Sequence, residues 1–451
     1  MSNQTQICII GAGVAGGTLA AFLADNGISV TVIERNLNEQ DRIVGELLQP
    51  GGVEQLKLMN LDHLINGIDA APVTGYALFK EKENFKIEYP TKDNNSVQGF
   101  GFRNGKFVQN IRKYLLEHPN VTVIKGRALD FIERNNSVCG ITYENENGEV
   151  FELYSNLTIA CDGSASKFRE VISKNTNKIN GYFVGIVMKN TPLPYTQHGH
   201  VIVANPAPVL VYPISSTETR VLIDFPGEKA PRKDEELKKY LLHQIMPQLP
   251  QIIHSGFEDA IVAGDIKMMP NCYMPAKPIR KRGAVLLGDS LNMRHPLTGG
   301  GMTVAFTDVY RLGNHLIETF KTQGADYMEA VNKFYEERHK NTATINILAD
   351  ALYGVIRNPN LADATFSYLK KGGKYAEEPV AILSAISRNF NLLMRHFFAV
   401  ALHGIKSSPK FSLKKSYKML GDAVRIVHPL VMSEKPDPFT KMALQLANKM
   451  F

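Results

Sequence analysis

Cysteine is scarce in this sequence, with four among 451 residues. Cys8, Cys139, Cys161 and Cys272 are scattered, and no two of them have the spacing of a metal-ligand pair. Isolated cysteines next to apolar runs are typical of free, buried thiols in a reducing compartment. The sequence therefore excludes a small disulfide scaffold, and we predict four buried free thiols and no metal site.

Long apolar runs are missing as well. No stretch reaches the ~18 uncharged apolar residues that a transmembrane helix requires. The residues before the first apolar strand contain neither the basic segment nor the apolar segment of a secretory signal peptide. We therefore expect no membrane-spanning helix and no signal peptide.

Excess charge is confined to one end of the chain. Residues 1–390 hold 41 Lys/Arg against 41 Asp/Glu, whereas residues 391–451 hold ten against three, which accounts for the net charge of +7. Apolar residues make up 44% and charged residues 21%, a balance that excludes a disordered chain. The sequence thus predicts a neutral globular body of two to three domains with a basic tail that could contact phosphate.

A glycine fingerprint follows the first strand. The apolar residues 7–10 lead into G-x-G-x-x-G, formed by Gly11, Gly13 and Gly16. These glycines permit a tight turn, close approach of a pyrophosphate and close packing of the next helix, whose N-terminus attracts phosphate. Glu34 ends the following strand, where it can accept hydrogen bonds from ribose hydroxyls and disfavours a 2′-phosphate. The pattern predicts FAD or NAD, rather than NADP, at this site.

Two later segments favour FAD. Asp162 begins D-G-x-x-S-x-x-R after an apolar strand, and Asp289 follows another strand in a Gly-Asp pair. Beyond Asp289 come a turn proline and three glycines that open a helix: Pro296, Gly299, Gly300 and Gly301. Asp289 can bind a ribityl hydroxyl, and the free N–H groups of the glycines can face the pyrimidine edge of a flavin. In this order the segments resemble the flavin hydroxylases of the para-hydroxybenzoate hydroxylase fold.

A second glycine fingerprint is missing, so the sequence encodes no separate nicotinamide domain. NADPH must therefore reduce the flavin by transient docking or through a partner reductase.

Two longer segments resemble the squalene epoxidase family. They span residues 41–52 (DRIVGELLQPGG) and 292–304 (NMRHPLTGGGMTV), and shorter matches lie at 184–190, 204–209 and 396–400. The resemblance extends over about residues 6–451. Many members of that family carry an additional hydrophobic N-terminal segment, which this sequence does not show.

The resemblance implies further FAD-binding positions. They are Val14 and Ala15 in the fingerprint, Arg35 and Arg42 after the second strand, Arg112, Ala128 and Met302. It also implies that Tyr76 lies near flavin and substrate, where we assign it a positioning role and no acid–base role. The implied reaction is epoxidation of a terminal double bond of squalene to 2,3-oxidosqualene, with FAD, O₂ and NADPH, as a step of sterol biosynthesis.

The predicted fold class is α/β: a FAD-binding Rossmann-like domain, an inserted antiparallel β-sheet substrate domain and a C-terminal membrane-associated helical region. Strand-like runs at residues 121–124, 137–143, 150–154 and 157–161 belong to the first domain, and β-rich runs after 181 to the second. The FAD-binding domain is expected over 1–60, 96–175 and 271–325. The substrate domain is expected over 61–95 and 176–270, and the helical region over 326–451.

Broken apolar blocks interrupted by Lys, Arg and His characterise the C-terminal region. They suit helices lying in a membrane interface, but also an ordinary helical subdomain with a solvated basic face. An oily substrate favours the membrane, and we expect attachment to the cytoplasmic face of the endoplasmic reticulum. The tail lacks interleaved aromatic and basic residues, which argues against nucleic acid.

Other functions remain open at this stage. A prenyl-chain reductase or another lipid hydroxylase could use the same flavin fold, and a prenyl-protein escort protein could use a related fold without flavin. The late Gly-Asp segment argues against the escort protein. The expected partners are squalene, O₂, a membrane surface and NADPH–cytochrome P450 reductase.

Overall fold

A computed structural model describes residues 3–277, 280–322, 324–407 and 413–434. Parts of the basic tail, at residues 408–412 and 435–451, lie outside the described residues. The strands are β1 (Gln4–Ile10), β2 (Val30–Glu34), β3 (Leu47–Leu48), β4 (Ala71–Val73), β5 (Gly75–Lys80), β6 (Glu83–Glu88), β7 (Gly99–Gly101), β8 (Val121–Arg134), β9 (Ser137–Asn145), β10 (Val150–Ala160), β11 (Lys178–Lys189), β12 (His198–Ile202), β13 (Val209–Pro213), β14 (Glu218–Pro226), β15 (Lys267–Tyr273) and β16 (Ala284–Leu286). The helices are α1 (Val14–Asp25), α2 (Pro50–Leu58), α3 (Asn104–Glu117), α4 (Phe168–Ile172), α5 (Glu235–Tyr240), α6 (His254–Ala263), α7 (Gly301–Lys321), α8 (Tyr327–Ile356), α9 (Pro359–Leu369), α10 (Lys374–Leu383), α11 (Phe390–Ser407) and α12 (Leu413–Ser433).

The first sheet is built on parallel strands. Here β8, β2, β1, β10 and β16 pair side by side in parallel. The apolar residues of β2, β16 and the paired parts of β1 and β10 are buried, whereas those of β8 are only partly buried. The long strands β8 and β10 continue beyond this layer and pair antiparallel with β9. Ligand sites of such sheets lie at the carboxyl ends of the parallel strands, where β1, β10 and β16 end together.

The second sheet is mainly antiparallel, in the order β15-β11-β14-β13-β12-β5-β6 among the described strands, and joins segments 61–95 and 176–270. Alternate residues of β11 face opposite sides of it. Val184 and Ile186 pack on α6 residues such as Phe257, whereas Phe183 packs with Leu297 of the late glycine segment. The α/β fold class with an inserted antiparallel sheet is therefore confirmed, while the membrane association of the C-terminal helices stays a prediction. One face of the second sheet packs against the predicted cofactor loop. Strand pairing does not define independent folding units, so the domain boundaries stay predictions.

The described residues after 326 form helices α8 to α12. Helix α8 packs along α7, and α10 lies against β6 of the second sheet. Within the described ranges, no helix has both the length and the apolar character needed to cross a membrane.

The cysteines follow the prediction in part. All four are free, and Cys8 is buried within β1, where burial raises the pKa of its thiol to about 12. Cys139, Cys161 and Cys272 are only partly buried, so the prediction of four buried thiols was wrong in this respect. The cause is local: Cys139 belongs to the β8–β9–β10 extension, which is less deeply packed than the parallel layer.

Candidate functional site

The glycine fingerprint forms the turn between β1 and α1. Gly11 has φ +98°, and a Cβ there would lie 2.7 Å from the carbonyl oxygen of Cys161. A Cβ on Gly16 would lie 2.1 Å from the carbonyl oxygen of Gly11, so the helix packs too closely for a side chain. Gly13 is the N-cap of α1, and a Cβ there would meet no heavy atom of the described residues within 4 Å. The turn is thus tight on the protein side and open in front of Gly13.

Helix α1 presents its N-terminus to that open space. Val14 and Ala15 are its first two residues, and both are partly exposed. The first N–H groups of a helix have no acceptor within the helix, and the Gly13 N-cap supplies no side-chain acceptor. The arrangement can accept an anionic diphosphate.

Glu34 lies at the end of β2, beside the same turn. Its Oε2 accepts the N–H of Ala12 at 2.8 Å, and its Oε1 accepts the N–H of Asn36 at 2.9 Å. Arg112 Nε donates to the carbonyl oxygen of Ala12 at 3.1 Å, and its Nη2 lies 3.6 Å from Glu34 Oε2. A carboxylate has further lone pairs, so Glu34 can still accept ribose hydroxyls while it shapes the turn.

The remaining predicted positions of this end are spread around it. Burial lowers the pKa of the Arg112 guanidinium, and the positive charge of nearby Arg42, which is exposed, lowers it further. Arg35 is also exposed. Ala128 lies on β8, three residues beyond the Lys125 that pairs with Glu34, and is half-buried beside β9. The structure therefore brings Arg112 and Arg42 to the turn and leaves Arg35 and Ala128 at its periphery.

The two Asp-containing segments meet at the carboxyl ends of β10 and β16. Arg169 joins them, because its Nη1 donates to the carbonyl oxygen of Asp289 at 3.3 Å and its Nη2 to that of Ser164 at 2.7 Å. Asp162 Oδ2 accepts the N–H of Lys167, whereas its Oδ1 is buried and has no hydrogen-bond partner in the described part of the chain. Burial raises the pKa of Asp162 against the hydrogen bonds it accepts. The side chain of Asp289 is exposed.

The late Gly-Asp segment packs directly on the fingerprint helix. A Cβ on Gly288, which has φ +70°, would lie 2.8 Å from the Cβ of Ala15. Ser290 Oγ donates to the carbonyl oxygen of Ala160 at 2.6 Å and thereby fixes the segment to β10. Residues some 270 positions apart in sequence are thus neighbours at one edge of the sheet.

The glycine-rich turn before α7 lies at the far end of this segment. Pro296 starts a short 3₁₀ turn that ends at Thr298, Gly299 follows with φ +62°, and Gly300 is the N-cap of α7. Gly301 is exposed, whereas Met302 is buried in the core of the first sheet. The N-terminus of α7 therefore presents a second set of free N–H groups.

Gln49 connects this turn with the second sheet. Its Nε2 donates to the carbonyl oxygen of Thr298 at 2.8 Å and to the hydroxyl of Tyr76, and its Oε1 accepts the hydroxyl of Tyr89 at 3.1 Å. Burial raises the pKa of Tyr76 to about 12 despite its hydrogen bonds with Gln49 and Tyr89. Tyr76 consequently keeps its proton at neutral pH.

An apolar cluster surrounds the two tyrosines. It contains Val73 and Ile87 beside Tyr76 and Tyr89, and α10 closes it with Ala376 and Val380. The cluster adjoins the Gln49–Thr298 contact, so a polar turn and an apolar wall meet there.

Several functional candidates were missed by the sequence reasoning. Gln49 and Glu46 both lie in the family-like segment 41–52, but their partners Tyr76, Tyr89 and Arg220 are remote in sequence. Glu46 forms a buried bidentate ion pair with Arg220 of β14 at 2.7 and 2.8 Å. A buried Glu-x-x-Gln before a helix carries no general signal, and pairing across domains leaves no local pattern.

The site fits a flavin dinucleotide. The open space before Gly13 at the N-terminus of α1 matches a diphosphate. Asp162 Oδ1, which has no hydrogen-bond partner among the described residues, matches a polyhydroxyl chain, and the N-terminus of α7 matches an electron-rich ring edge. The residues that would hold FAD therefore lie around the carboxyl ends of β1, β10 and β16 and at the N-termini of α1 and α7.

Comparisons with known families agree with this geometry. The family model described as squalene epoxidase matches residues 154–416, and the model described as glucose inhibited division protein A matches residues 6–178. The first match covers more than half of the chain.

Individual relatives extend the match over almost the whole chain. Squalene epoxidase 1 of Arabidopsis thaliana is 42% identical over 95% of this chain and 83% of its own length. Squalene monooxygenase of Mus musculus is 38% identical over 96% of this chain and 78% of its own length. A flavoprotein/dehydrogenase structure from Cytophaga hutchinsonii superposes with a TM-score of 0.72 at 15% identity, over 90% of this chain and all of that one. This last likeness concerns the fold.

Proposed function

Because the chain belongs to the squalene epoxidase family, we propose how its residues divide the work of squalene epoxidation. The chain is an FAD-dependent monooxygenase that converts squalene to 2,3-oxidosqualene with O₂ in sterol biosynthesis, with electrons from NADPH. The observation that carries the assignment of the site is the convergence of the fingerprint, Asp162 and Asp289 at one sheet edge.

Residues of the first sheet bind the cofactor. The N-terminus of α1 would hold the diphosphate, Glu34 the ribose and Asp289 the ribityl chain. The N–H groups of Gly300 and Gly301 would serve the pyrimidine edge, since the N–H of Gly299 already donates to the carbonyl oxygen of Pro296 at 3.0 Å. When bound, FAD supplies the reduction of O₂ and the transfer of one oxygen atom to the alkene. Arg112 and Arg42 add positive charge near the diphosphate.

Residues of the second sheet position the alkene. The Gln49–Tyr76–Tyr89 hydrogen bonds fix two aromatic rings, whose centroids lie 5.7 Å apart, at the boundary between the glycine-rich turn and the apolar cluster. The cluster excludes water and holds the hydrocarbon, which protects activated oxygen from loss to solvent. Tyr76 orients substrate and flavin and is not an acid or a base at neutral pH.

A product assay tests the assignment. The purified chain is incubated with squalene, NADPH, a reductase and O₂, and the products are identified by mass spectrometry. We expect 2,3-oxidosqualene, O₂ uptake and a yellow protein. A saturated product formed without O₂ would instead support a prenyl-chain reductase, and a colourless, inactive protein would contradict the assignment.

We infer that an external reductase, NADPH–cytochrome P450 reductase, supplies the electrons. The inference rests on the single glycine fingerprint, which we assign to the flavin, and on the lack of a second such motif in the sequence. Stopped-flow reduction of the flavin by NADPH alone, compared with NADPH plus the reductase, distinguishes the two routes. Equal rates would refute the need for a partner.

We further propose that the C-terminal helices attach the enzyme to the cytoplasmic face of the endoplasmic reticulum. Support comes from the basic surplus after residue 390 and from exposed apolar side chains such as Leu402 of α11 and Tyr417 of α12. Leu402→Ser should reduce co-sedimentation with phosphatidylserine-containing vesicles, whereas Leu116→Ser, at an exposed site on α3, should not. Equal binding of both variants and the unmodified chain would refute this surface.

A further inference from the structure

A buried histidine lies directly beneath the glycine-rich turn. His295 precedes Pro296 and is 1% exposed. Its Nδ1 accepts the N–H of Leu297 at 3.2 Å, which caps the 3₁₀ turn that leads to Gly299. The main-chain N–H of His295 donates to Asp350 Oδ1 of α8 at 3.4 Å. The imidazole thus holds the main chain of the turn from below.

The environment selects one form of this imidazole. Burial lowers the pKa of His295 to about 3, with a smaller contribution from the charge of Arg357, so the ring is neutral at physiological pH. Because Nδ1 accepts a hydrogen bond, the single ring proton resides on Nε2. Within the described residues Nε2 has no hydrogen-bond partner, and it faces Asp224 Oδ1 at 4.0 Å.

Asp224 ties the histidine to the second sheet. It lies on β14, where its Oδ1 accepts Asn271 Nδ2 at 2.9 Å and its Oδ2 accepts the hydroxyl of Tyr353 at 3.0 Å. The ring of Tyr353 stacks on that of His295 at a centroid distance of 3.7 Å and an angle of 15°. The histidine therefore contacts the turn, the sheet and α8 together.

We propose that His295 is a positioning residue that fixes the Leu297–Gly301 turn against the flavin and couples it to the substrate sheet through Asp224 and Tyr353. The inference rests on the proposed function, which places this turn at the pyrimidine edge. The hydrogen bond to Leu297 N–H sets the direction of the N–H groups that follow, and the stacked ring prevents the turn from sliding. The histidine would thus affect a bound flavin only through the position of the turn, without contacting it directly.

Two substitutions separate positioning from packing. In His295→Asn the amide oxygen reaches the place of Nδ1 and can accept Leu297 N–H, whereas in His295→Gln it reaches the place of Nε2. A third variant, His295→Phe, keeps the stacking on Tyr353 and removes the acceptor. Loss of the acceptor leaves a buried N–H without a partner and should weaken FAD binding about tenfold.

His200 provides a matched control. It is 2% exposed, accepts the N–H of Tyr195 at 3.3 Å through Nε2, and stacks on Phe79 of the second sheet, away from the turn. His200→Phe therefore measures the general cost of replacing a buried, hydrogen-bonded histidine that lies away from the turn.

The readouts are the FAD dissociation constant, the visible flavin spectrum and the flavin midpoint potential, together with the melting temperature of each apoprotein. We expect His295→Phe and His295→Gln to shift the flavin readouts, His295→Asn to restore them largely, and His200→Phe to change the melting temperature alone. Wild-type flavin readouts in His295→Phe, or no rescue by asparagine, would overturn the proposal. If His295→Phe does not fold, the Asn–Gln comparison decides.

The same experiment separates the proposal from the assigned reaction. Formation of oxidosqualene by the unmodified enzyme tests the reaction, independently of any variant. An active yellow enzyme whose flavin readouts are insensitive to residue 295 would refute the positioning role alone. Failure of the unmodified chain to bind FAD would refute the flavin site itself.

Discussion

At the scale of single residues, two glycines of the fingerprint are needed for opposite reasons, one for close packing and one for open space. A Cβ on Gly16 would strike the main chain of Gly11 at 2.1 Å, whereas a Cβ on Gly13 would meet no described atom within 4 Å. Gly16 is required by the close packing of α1 on the turn, whereas Gly13 leaves open the space that the proposed diphosphate would use.

The two alanine variants should therefore fail differently. Gly16→Ala is expected to destabilise the apoprotein by about 1–3 kcal/mol, because overpacking against main chain cannot relax by a rotamer change. Gly13→Ala should leave apoprotein stability near wild type and weaken FAD binding by about tenfold, or ~1.4 kcal/mol. Urea unfolding and flavin titration measure the two effects. Unaltered FAD binding in Gly13→Ala would place the diphosphate elsewhere.

Asp350 gives a pH dependence at the same scale. Burial raises its pKa to about 8, while the N–H of His295 and the charge of Arg294 act in the opposite direction and Glu434 adds to the increase. The folded state thus holds a proton that the unfolded state releases near pH 4, and stability falls as pH rises from the unfolded pKa through the folded one.

Asp350→Asn should remove this dependence. The amide can still accept the N–H of His295 and has no charge to bury, so the variant should gain stability relative to wild type as pH rises from 5 to 8. The gain is roughly 1.4 kcal/mol per pH unit over this window, because there the unfolded carboxyl group is ionised and the folded one is largely protonated. Chemical unfolding at both pH values measures it. Parallel curves for the two proteins would show that Asp350 titrates normally.

At the scale of elements, α10 lies between the apolar cluster and a polar contact. Its inner residues Ala376 and Val380 pack on the tyrosines, and its outer Glu378 Oε2 accepts His396 Nε2 of α11 at 2.6 Å and also Arg395. Burial alone would raise the pKa of Glu378, but these hydrogen bonds lower it. The helix starts after Gly372 and Gly373, both with positive φ.

Glu378→Gln should loosen α10 without changing its apolar face. We expect severalfold faster amide hydrogen exchange in α10 and a higher KM for squalene with kcat less affected, because the wall of the substrate cluster opens more often. Glu377→Gln, an exposed neighbour on the same helix, is the control. Equal exchange in both variants would show that the contact with His396 does not hold the helix.

The strands show how far the sequence pattern predicts the bounds of secondary-structure elements. The predicted runs at 150–154 and 157–161 are one strand, β10, and the run at 121–124 is the start of the longer β8. Each strand changes its partner within the same sheet, from a parallel neighbour to antiparallel β9, so its burial pattern changes midway. That change of partner produces a break in the sequence pattern where the backbone has none.

At the scale of the whole molecule, the proposed cofactor site is built from segments that meet only on folding. Glu34, Arg112, Asp162 and Asp289 come from distant parts of the chain, and FAD would bridge them. A ligand that binds only the folded state stabilises it by about 2.7 kcal/mol at 100 times its dissociation constant.

FAD should therefore raise the melting temperature more than FMN does. FMN lacks the adenosine half and cannot use the α1 N-terminus and Glu34 together. Thermal unfolding of the apoprotein with each flavin at equal concentration measures the difference. Equal stabilisation would show that the fingerprint end contributes nothing to binding.

The sequence by itself determined the family, the cofactor and the α/β class, because glycine turns and strand–helix order are local patterns that a chain must contain to make them. Burial and pairing were decided by tertiary structure alone. The Gln49–Tyr76 contact, the Glu46–Arg220 ion pair and the place of His295 under the glycine-rich turn join residues remote in sequence. Whether these residues interact, and how strongly, depends on their distance in space and on the exclusion of water, and no local sequence pattern encodes either.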